Sequence, residues 1–133
     1  MITRDAIYID GKWVPAGGDG KIEVINPANE QVIGSVPVGT EGDVNAAISA
    51  ARAAFPSWSK SSIEERQGYL NAISSAIAER GEEIAKLISS EVGTPINHSR
   101  MAMVGTPRVV AKSYAKILET FEWEEKVRLS LIH

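Results

Sequence analysis

The sequence predicts an α+β chain in which two N-terminal β-hairpins precede three to four amphipathic helices. The prediction rests on short β-prone runs joined by turn residues before residue 40, and on apolar residues at spacings of three and four after it. Capping residues stand before the helical runs, and glycine or proline follows them. The chain has 133 residues, enough for one domain with a single modest core.

Asp10-Gly11 predicts the first hairpin, because it separates β-prone runs at residues 7–9 and 12–14. A type I′ turn needs positive φ at both central residues, and Asp-Gly meets that need. Residues 16–20 then form a loop with three glycines. The loop has neither the spacing of a dinucleotide-binding fingerprint nor a helix behind it, so it is predicted to be a connection.

The second hairpin is expected to pair residues 22–25 with residues 31–38 through a turn at Asn26-Pro27-Ala28-Asn29. The later strand alternates between two faces, and Pro37 near its end has no N–H for a ladder. That end of the strand is therefore expected at a sheet edge.

The first helix is predicted to begin at the capping box Thr40-Glu41-Gly42-Asp43, in which a hydroxyl and a carboxylate satisfy each other's backbone amides. Pro56 is expected to end the helix, and Trp58 to fold back onto it. The apolar stripe of this helix consists of Val44, Ala47, Ile48, Ala51 and Phe55.

The central helical run covers residues 62–91 and organises the rest of the chain. Ser62 and Glu65 have the spacing of a capping box. Gly81 leaves two interpretations, one helix weakened by about 1 kcal/mol or two nearly continuous helices, and we favour the second. Val92-Gly93-Thr94-Pro95 ends the run. The apolar face, which needs partners, comprises Tyr69, Leu70, Ile73, Ala76, Ile77, Ile84, Leu87 and Ile88.

A third helical segment is predicted to start near Asn97-His98-Ser99 and to break or kink at Pro107. Residues 127–132 then alternate like a strand, and the edge of such a terminal strand is able to pair with another chain. Between them, an amphipathic helix carries Val109, Val110, Ser113, Tyr114, Ile117, Leu118 and Phe121.

Composition limits the classes of function. Hydrophobic residues make up 44% and charged residues 23%, as in ordinary globular proteins. The net charge of −3 and the lack of a basic face argue against nucleic acid as a partner. No apolar run approaches the roughly 20 residues of a membrane span and no secretory signal is recognisable, so a cytoplasmic location is expected. The cysteine count is zero, which excludes disulfides, thiolate metal sites and thiol nucleophiles.

Residue patterns alone assign no catalytic residue. His98 and His133 lack the spaced partners of a zinc site. Glu64-Glu65 and Glu82-Glu83 are adjacent pairs, which do not face each other on a helix, so we interpret them as solvated or first-turn charges rather than as an acid and a base. Aspartates and serines occur without the placed histidine of a triad. The scattered Trp and Tyr residues are expected in the core.

Several segments, taken together, resemble the N-terminal region of the NAD(P)-dependent aldehyde dehydrogenases. Each segment is short, but their order and spacing along almost the whole chain make the resemblance specific. The segments are Tyr8-Ile9-Asp10-Gly11-Lys12-Trp13-Val14, Ile25-Asn26-Pro27-Ala28, Gln31-Val32-Ile33-Gly34, Asp43-Val44-Asn45-Ala46-Ala47, Ala50-Ala51-Arg52-Ala53-Ala54-Phe55, Trp58, Arg66, Glu91-Val92-Gly93-Thr94-Pro95 and Tyr114-Ala115.

The resemblance implies that residues 1–133 form the outer, incomplete N-terminal part of the NAD(P)-binding domain, and that residues 122–133 begin the family's bridging strand region. It also implies the family's reaction, in which a cysteine thiolate attacks an aldehyde, hydride passes to NAD or NADP, and a glutamate-assisted water releases the acid. This chain has no cysteine, and its motifs stop before the dinucleotide-binding strands and the catalytic glutamate. We therefore expect a truncated aldehyde dehydrogenase that binds no cofactor and is inactive by itself.

The resemblance also points to a metal site and leaves a competing hypothesis. Some family members hold a monovalent cation with backbone carbonyls and a carboxylate; the matching positions are Val24, Ile25 and Glu91, and a further carbonyl in the family lies beyond this chain's end. The competing hypothesis is a non-catalytic interaction module that self-associates through exposed helix faces and the terminal strand. An unrelated helical binding domain would require the ordered matches to be accidental.

Overall fold

The structure, a computed structural model, describes residues 2–126, without the side chain of Ile2. It confirms an α+β chain with two antiparallel strand pairs followed by helices. The predicted strand at residues 127–132 lies outside the described residues, as does part of the segment 122–133. The strands are β1 Ile2–Thr3, β2 Ala6–Ile9, β3 Lys12–Pro15, β4 Lys21–Ile25 and β5 Val32–Pro37. The helices are α1 Glu41–Trp58, α2 Ile63–Glu79, α3 Gly81–Val92, α4 Ile96–His98 and α5 Gly105–Ile117, with a π-helical turn at Ser99–Val104 between the last two.

Both predicted hairpins are present. Strands β2 and β3 pair antiparallel through a turn in which Asp10 and Gly11 have φ values of 52° and 74°, as a type I′ turn requires. Strands β4 and β5 form the second hairpin, and β1 adds to the other side of β5 in parallel. The sequence did not indicate β1, because two residues are too few for a periodic pattern. Its pairing with β5 ends at Ser35, before Pro37 is reached.

Helix α1 begins at the predicted capping box. Thr40 Oγ1 accepts a hydrogen bond from the Asp43 amide at 3.2 Å, and Asp43 Oδ2 accepts one from the Thr40 amide at 2.8 Å. The Asp43 carboxylate also accepts from the Gly17 amide, which ties the glycine loop to the helix. The amides of Thr40 and then of Gly17, followed by the Thr40 hydroxyl, lower the pKa of Asp43.

The expected end of α1 at Pro56 is wrong, because the helix continues to Trp58. A proline this close to a helix end removes only one intrahelical hydrogen bond, and the Ser59 amide still donates to Phe55 O at 2.8 Å. Trp58 does not fold back onto α1. It packs on α2 instead, with its ring centroid 5.5 Å from that of Tyr69.

The central run consists of two helices, as the favoured interpretation of Gly81 predicts. Ser62 Oγ accepts from the Glu65 amide at 3.1 Å and caps α2. Helix α2 ends at Glu79, Arg80 has φ −100° and ψ 11°, and α3 begins at Gly81. A Cβ on Gly81 would lie 3.4 Å from Val104 Cγ1, so the junction also packs against the end of the π-helical turn.

The chain does not break at Pro107, which lies within α5; the irregularity is the π-helical turn just before that helix. The chain passes from the π-helical turn into α5 at Gly105, and Pro107 stands in the first turn of α5. An amide in a first turn has no intrahelical acceptor, so proline is tolerated there. The π-helical turn, which is wider than an α-helical turn, therefore leads the chain to Pro107, a residue with no backbone N–H to donate.

The buried interior is small and lies between α2, α3, the π-helical turn and α5. Helices α2 and α5 approach closely because their contact uses small side chains. Ser74 Oγ donates to Arg108 O at 3.1 Å, and Gln67 Nε2 donates to Ala115 O at 2.8 Å. The buried residues of this interior are Ser74, Ala85, Ser99, Val104, Ala111 and Ala115, and two more buried residues, Gly34 and Ser35, lie in β5.

Several large apolar side chains of α2 and α5 remain exposed. Tyr69 and Ile73 of α2 expose 52% and 49% of their surface, and Val109 and Tyr114 of α5 expose 66% and 56%. The expectation that the aromatic residues form the core is therefore wrong. Most of them lie in exposed pairs, namely Tyr8–Trp13, Trp58–Tyr69 and Phe121–Trp123.

The total accessible surface agrees with this arrangement. The chain exposes 10609 Å². A compact monomer of the same mass is expected to expose about 6,800 Å². The excess surface means that the helices and strands leave much of one another's apolar surface uncovered.

Gly93 provides a test of how α3 is joined to the second hairpin. Its φ is 75°, and a Cβ there would lie 2.8 Å from Pro27 Cγ. We expect Gly93→Ala to lower the free energy of unfolding by about 1–3 kcal/mol, because it combines left-handed strain with a clash. Urea denaturation followed by circular dichroism measures the change.

Gly68 is the matched control, since it lies inside α2 and a Cβ there would meet nothing within 4 Å. Gly68→Ala is expected to stabilise the chain by about 0.5–1 kcal/mol. Equal effects of the two substitutions would contradict this account of Gly93.

Candidate functional site

A cavity of about 420 Å³ lies between the second hairpin and α3. Its hairpin side is formed by residues of β4 and β5, and its helix side by residues from Arg80 to Glu91. The lining residues are Arg4, Val24, Ile33, Gly34, Ser35, Val36, Arg80, Glu83, Leu87, Ser90 and Glu91.

Local backbone features place the hairpin beside the helix. The register of β4 against β5 shifts between Val24 and Ile25, so Val24 faces Gly34 and Ile25 faces Val32. Ile33 is the additional residue of this bulge, and it lines the cavity. The turn that follows β4 then reaches the end of α3, where Pro27 and Gly93 leave no room for a side chain on the glycine.

The cavity contains balanced charges. Arg80 binds Glu83 with two hydrogen bonds, from Nε at 3.0 Å and from Nη2 at 2.8 Å. The hydrogen bonds and charge of Arg80 lower the pKa of Glu83, and the charge of Arg4 adds to the effect. The same hydrogen bonds raise the pKa of Arg80. Glu91 adds a second carboxylate to the lining of the cavity.

The structure brings together two of the three residues at the positions of the expected cation site. Val24 and Glu91 line the same cavity, whereas Ile25 does not and exposes 51% of its surface. Oxygen donors of this kind suit a hard cation. The fit is incomplete, because two positively charged residues, Arg4 and Arg80, line the same cavity. The described residues contain no cluster of three or more His, Asp or Glu side chains that would hold a metal.

The paired glutamates are structural charges, as interpreted from the sequence. Glu64 lies at the start of α2. Its own backbone amide, and then the hydroxyl of Ser62, lower the pKa of the Glu64 carboxyl. Glu82 accepts two hydrogen bonds from Arg100, at 2.8 Å and 2.7 Å, and Lys86 lies 3.7 Å from it. Arg100 and then Lys86 lower the pKa of Glu82. These contacts tie α3 to the π-helical turn.

The remaining candidates do not assemble into a catalytic group within the described residues. His98 is exposed at the end of α4, and Asp43 is engaged by Thr40 and Gly17. The hydroxyls of Ser89 and Ser99 lie 3.0 Å apart, with Ser99 fully buried. The structure gives these serines a role in joining α3 to the π-helical turn, since no base accompanies them among the described residues.

Sequence reasoning missed two arginines that organise the described chain. Arg100 binds Glu82 across 18 positions, and no sequence pattern connects residues that far apart. Arg66 appeared only as one residue of the resemblance. In the structure its guanidinium lies between the rings of Trp58 and Trp123.

Comparison with known proteins identifies the fold. The family model described as "Aldehyde dehydrogenase family" matches residues 13–130, which is most of the chain. The chain belongs to the aldehyde dehydrogenase family. The resemblance inferred from the ordered segments is thereby confirmed.

Individual relatives agree on the family and on the part of it that is present. The chain is 37% identical over 123 residues to the 3-succinoylsemialdehyde-pyridine dehydrogenase of a Pseudomonas species, and spans 25% of that protein. It superposes with a TM-score of 0.91 on an aldehyde dehydrogenase from Bartonella henselae, with 29% identity over 96% of this chain and 27% of the other. The chain thus corresponds to about a quarter of its relatives, the N-terminal part.

A third relative is a structure with bound ligands. The C291A variant of aldehyde dehydrogenase C from Pseudomonas syringae was solved with NAD⁺ and octanal. It superposes with a TM-score of 0.89 and 35% identity over 93% of this chain and 26% of that protein. NAD use is therefore a property of the family. Among the described residues of the present chain, no helix combines the length and the apolar character needed to cross a bilayer.

Proposed function

We propose that this chain serves as a structural N-terminal part of an aldehyde dehydrogenase and does not oxidise aldehydes by itself. The observation that supports the proposal is the exposed apolar surface on a backbone that keeps the family's shape. Tyr69 and Ile73 on α2 and Val109 on α5 remain largely exposed. Surfaces of this kind are made to be covered by other parts of a protein.

The chemistry of the family supports the same proposal. A bound NAD or NADP accepts the hydride, and the protein contributes a thiolate nucleophile and an activated water. The sequence contains no cysteine, so this chain has no thiolate to offer. The five short strands among residues 2–126 do not form the parallel sheet expected to carry a dinucleotide, and we propose that the chain alone binds neither NAD nor NADP.

An activity assay tests the proposed absence of catalysis. We expect no formation of NADH or NADPH from several aldehydes, because the redox step requires a nucleophile that the chain lacks. Absorbance at the nicotinamide band measures the product, with a full-length Pseudomonas relative as the positive control.

Iodoacetamide separates the chain's own activity from a contaminant. A contaminating aldehyde dehydrogenase would be inactivated by alkylation of its cysteine, whereas this chain has no thiol to alkylate. Turnover that persists after alkylation and copurifies with the chain would overturn the proposal.

Self-association is a second proposed function, and it rests on the exposed apolar faces. A stable interface buries about 1,600 Å² in total. The accessible surface of 10609 Å² exceeds that of a compact monomer by more than this amount. We propose that the chain forms a dimer or a higher oligomer through its helix faces, with the segment after Lys126 as a further contact. We also propose that the chain is located in the cytoplasm.

Light scattering at micromolar concentration tests this association. We expect a mass at least twice that of one chain, and we expect Ile73→Glu to shift the mass towards the monomer because it places a charge on the apolar face. Ser75→Glu, an exposed position away from that face, is the control and should leave the mass unchanged. A monomeric wild-type chain would exclude self-association.

We also propose that the carbonyl oxygens of Val24 and Ile25, together with the carboxylate of Glu91, hold a monovalent cation. A ligand that binds only the folded state raises the melting temperature by mass action. We expect K⁺ to raise it relative to tetramethylammonium at equal ionic strength, and Glu91→Gln to abolish the difference. Glu41→Gln, on α1, should retain it. Identical melting in the two salts would refute the site.

A further inference from the structure

The side chain of Arg66 joins three parts of the chain that are not adjacent in sequence. Its guanidinium carbon lies 5.7 Å from the ring centroid of Trp58, at the end of α1, and 5.6 Å from that of Trp123, after α5. Arg66 itself belongs to the first turns of α2. A guanidinium within about 6 Å of an aromatic centroid is attracted by the ring's negative face.

Hydrogen bonds fix the guanidinium between the two indoles. Arg66 Nε donates to Ser61 Oγ at 2.9 Å, and Nη2 donates to the carbonyl oxygens of Trp58 and Ser59, both at 3.3 Å. These carbonyls lie at the C-terminal end of α1, where helical carbonyls lack intrahelical donors. The last turn of α1 contains no basic residue. Arg66 therefore provides, from the next helix, the positive charge that favours a helix C-terminus.

Each indole also contacts another aromatic ring. Trp58 packs against Tyr69 of α2 with centroids 5.5 Å apart, and Trp123 packs edge-to-face against Phe121 with centroids 4.9 Å apart. Edge-to-face and tilted pairs at these separations are favourable. The five side chains form a continuous stack, and Arg66 is its central member.

We infer that Arg66 is a positioning residue that holds Trp123, and with it the segment after α5, against the corner between α1 and α2. The residues from Glu122 to Lys126 belong to no helix or strand. The aromatic stack consequently determines the place from which the chain continues past Lys126. This inference goes beyond the proposed function, since it concerns the path of the chain and holds whether or not the chain associates.

A single-tryptophan chain tests the inference. In a Trp13→Phe, Trp58→Phe background, Trp123 is the remaining tryptophan, and a phenyl ring keeps the stack closed on the α1 side. We expect Arg66→Gln to weaken the docking of Trp123 by about 5- to 30-fold, the effect of one or two contacts of this kind. Acrylamide quenching should rise, fluorescence anisotropy should fall and the emission should shift to the red.

Two control variants make the result specific. Arg66→Lys keeps the positive charge but loses the planar fork, so it should restore part of the protection of Trp123. Arg52→Gln removes an exposed arginine of α1 that has no aromatic contact among the described residues, and it should change nothing. Quenching and anisotropy that are the same for Arg66→Gln and for the reference chain would overturn the inference.

A complementary measurement covers the case in which Arg66→Gln unfolds the chain. Trp123→Leu leaves the hydrogen bonds of Arg66 in place and removes one ring from its face. In nuclear magnetic resonance spectra of the chain with its other residues intact, we expect this substitution to shift the Arg66 Nε–H resonance, because the ring current of Trp123 is lost. Trp13→Leu should not shift it. An unchanged Arg66 resonance in Trp123→Leu would overturn the inference.

Discussion

The close contact between α2 and α5 is the interaction on which the rest of the helical structure depends. Ala111 and Ala115 are buried against α2, and their small size lets Ser74 and Gln67 reach backbone carbonyls of the opposite helix. A side-chain hydrogen bond to a backbone carbonyl fixes both the separation and the register of two helices. Large apolar residues in the same place would give more burial, but they would hold the helices further apart.

This contact explains why so much apolar surface remains exposed. With the face of α2 that contains Gln67 and Ser74 turned towards α5, Tyr69 and Ile73 remain about half exposed. A cavity likewise remains between the strands of the second hairpin and α3, which meet at Pro27 and Gly93. The local structure is nevertheless that of the larger relatives, with a TM-score of 0.91 against one of them. The chain thus keeps the backbone of a family member, while the apolar faces that would complete its core are uncovered in the described residues.

Features set by neighbouring residues could be predicted from the sequence, whereas contacts between distant residues could not. The Asp10-Gly11 turn, the Thr40 capping box and the division at Gly81 each depend on the chemistry of a few adjacent residues, and all are present. The apolar face predicted for α2 was only partly right, since Leu70 and Ile77 are half-buried whereas Tyr69 and Ile73 are exposed. In the sequence, Ser74 cannot be told from an exposed serine. It is buried because α5 brings Arg108 O, 34 positions later in the chain, against its hydroxyl. At the candidate cation site, the family resemblance pointed to Val24 and Glu91, which do line one cavity. It did not indicate the two arginines, Arg4 and Arg80, that line the same cavity.

Helix α1 shows how such a chain is held together without a large core. It has no buried residue, and its side-chain hydrogen bonds and ring contacts to other elements lie at its ends. At the N-terminal end, the Asp43 carboxylate accepts a hydrogen bond from the amide of Gly17. At the C-terminal end, Trp58 contacts Arg66 and Tyr69. An isolated helix of about this length is marginal in water, so these end contacts both stabilise and orient it. The helix face between the two ends carries Val44, Ile48 and Phe55 and is free for another surface to cover. Because both ends are held in place, they determine the direction in which this face points.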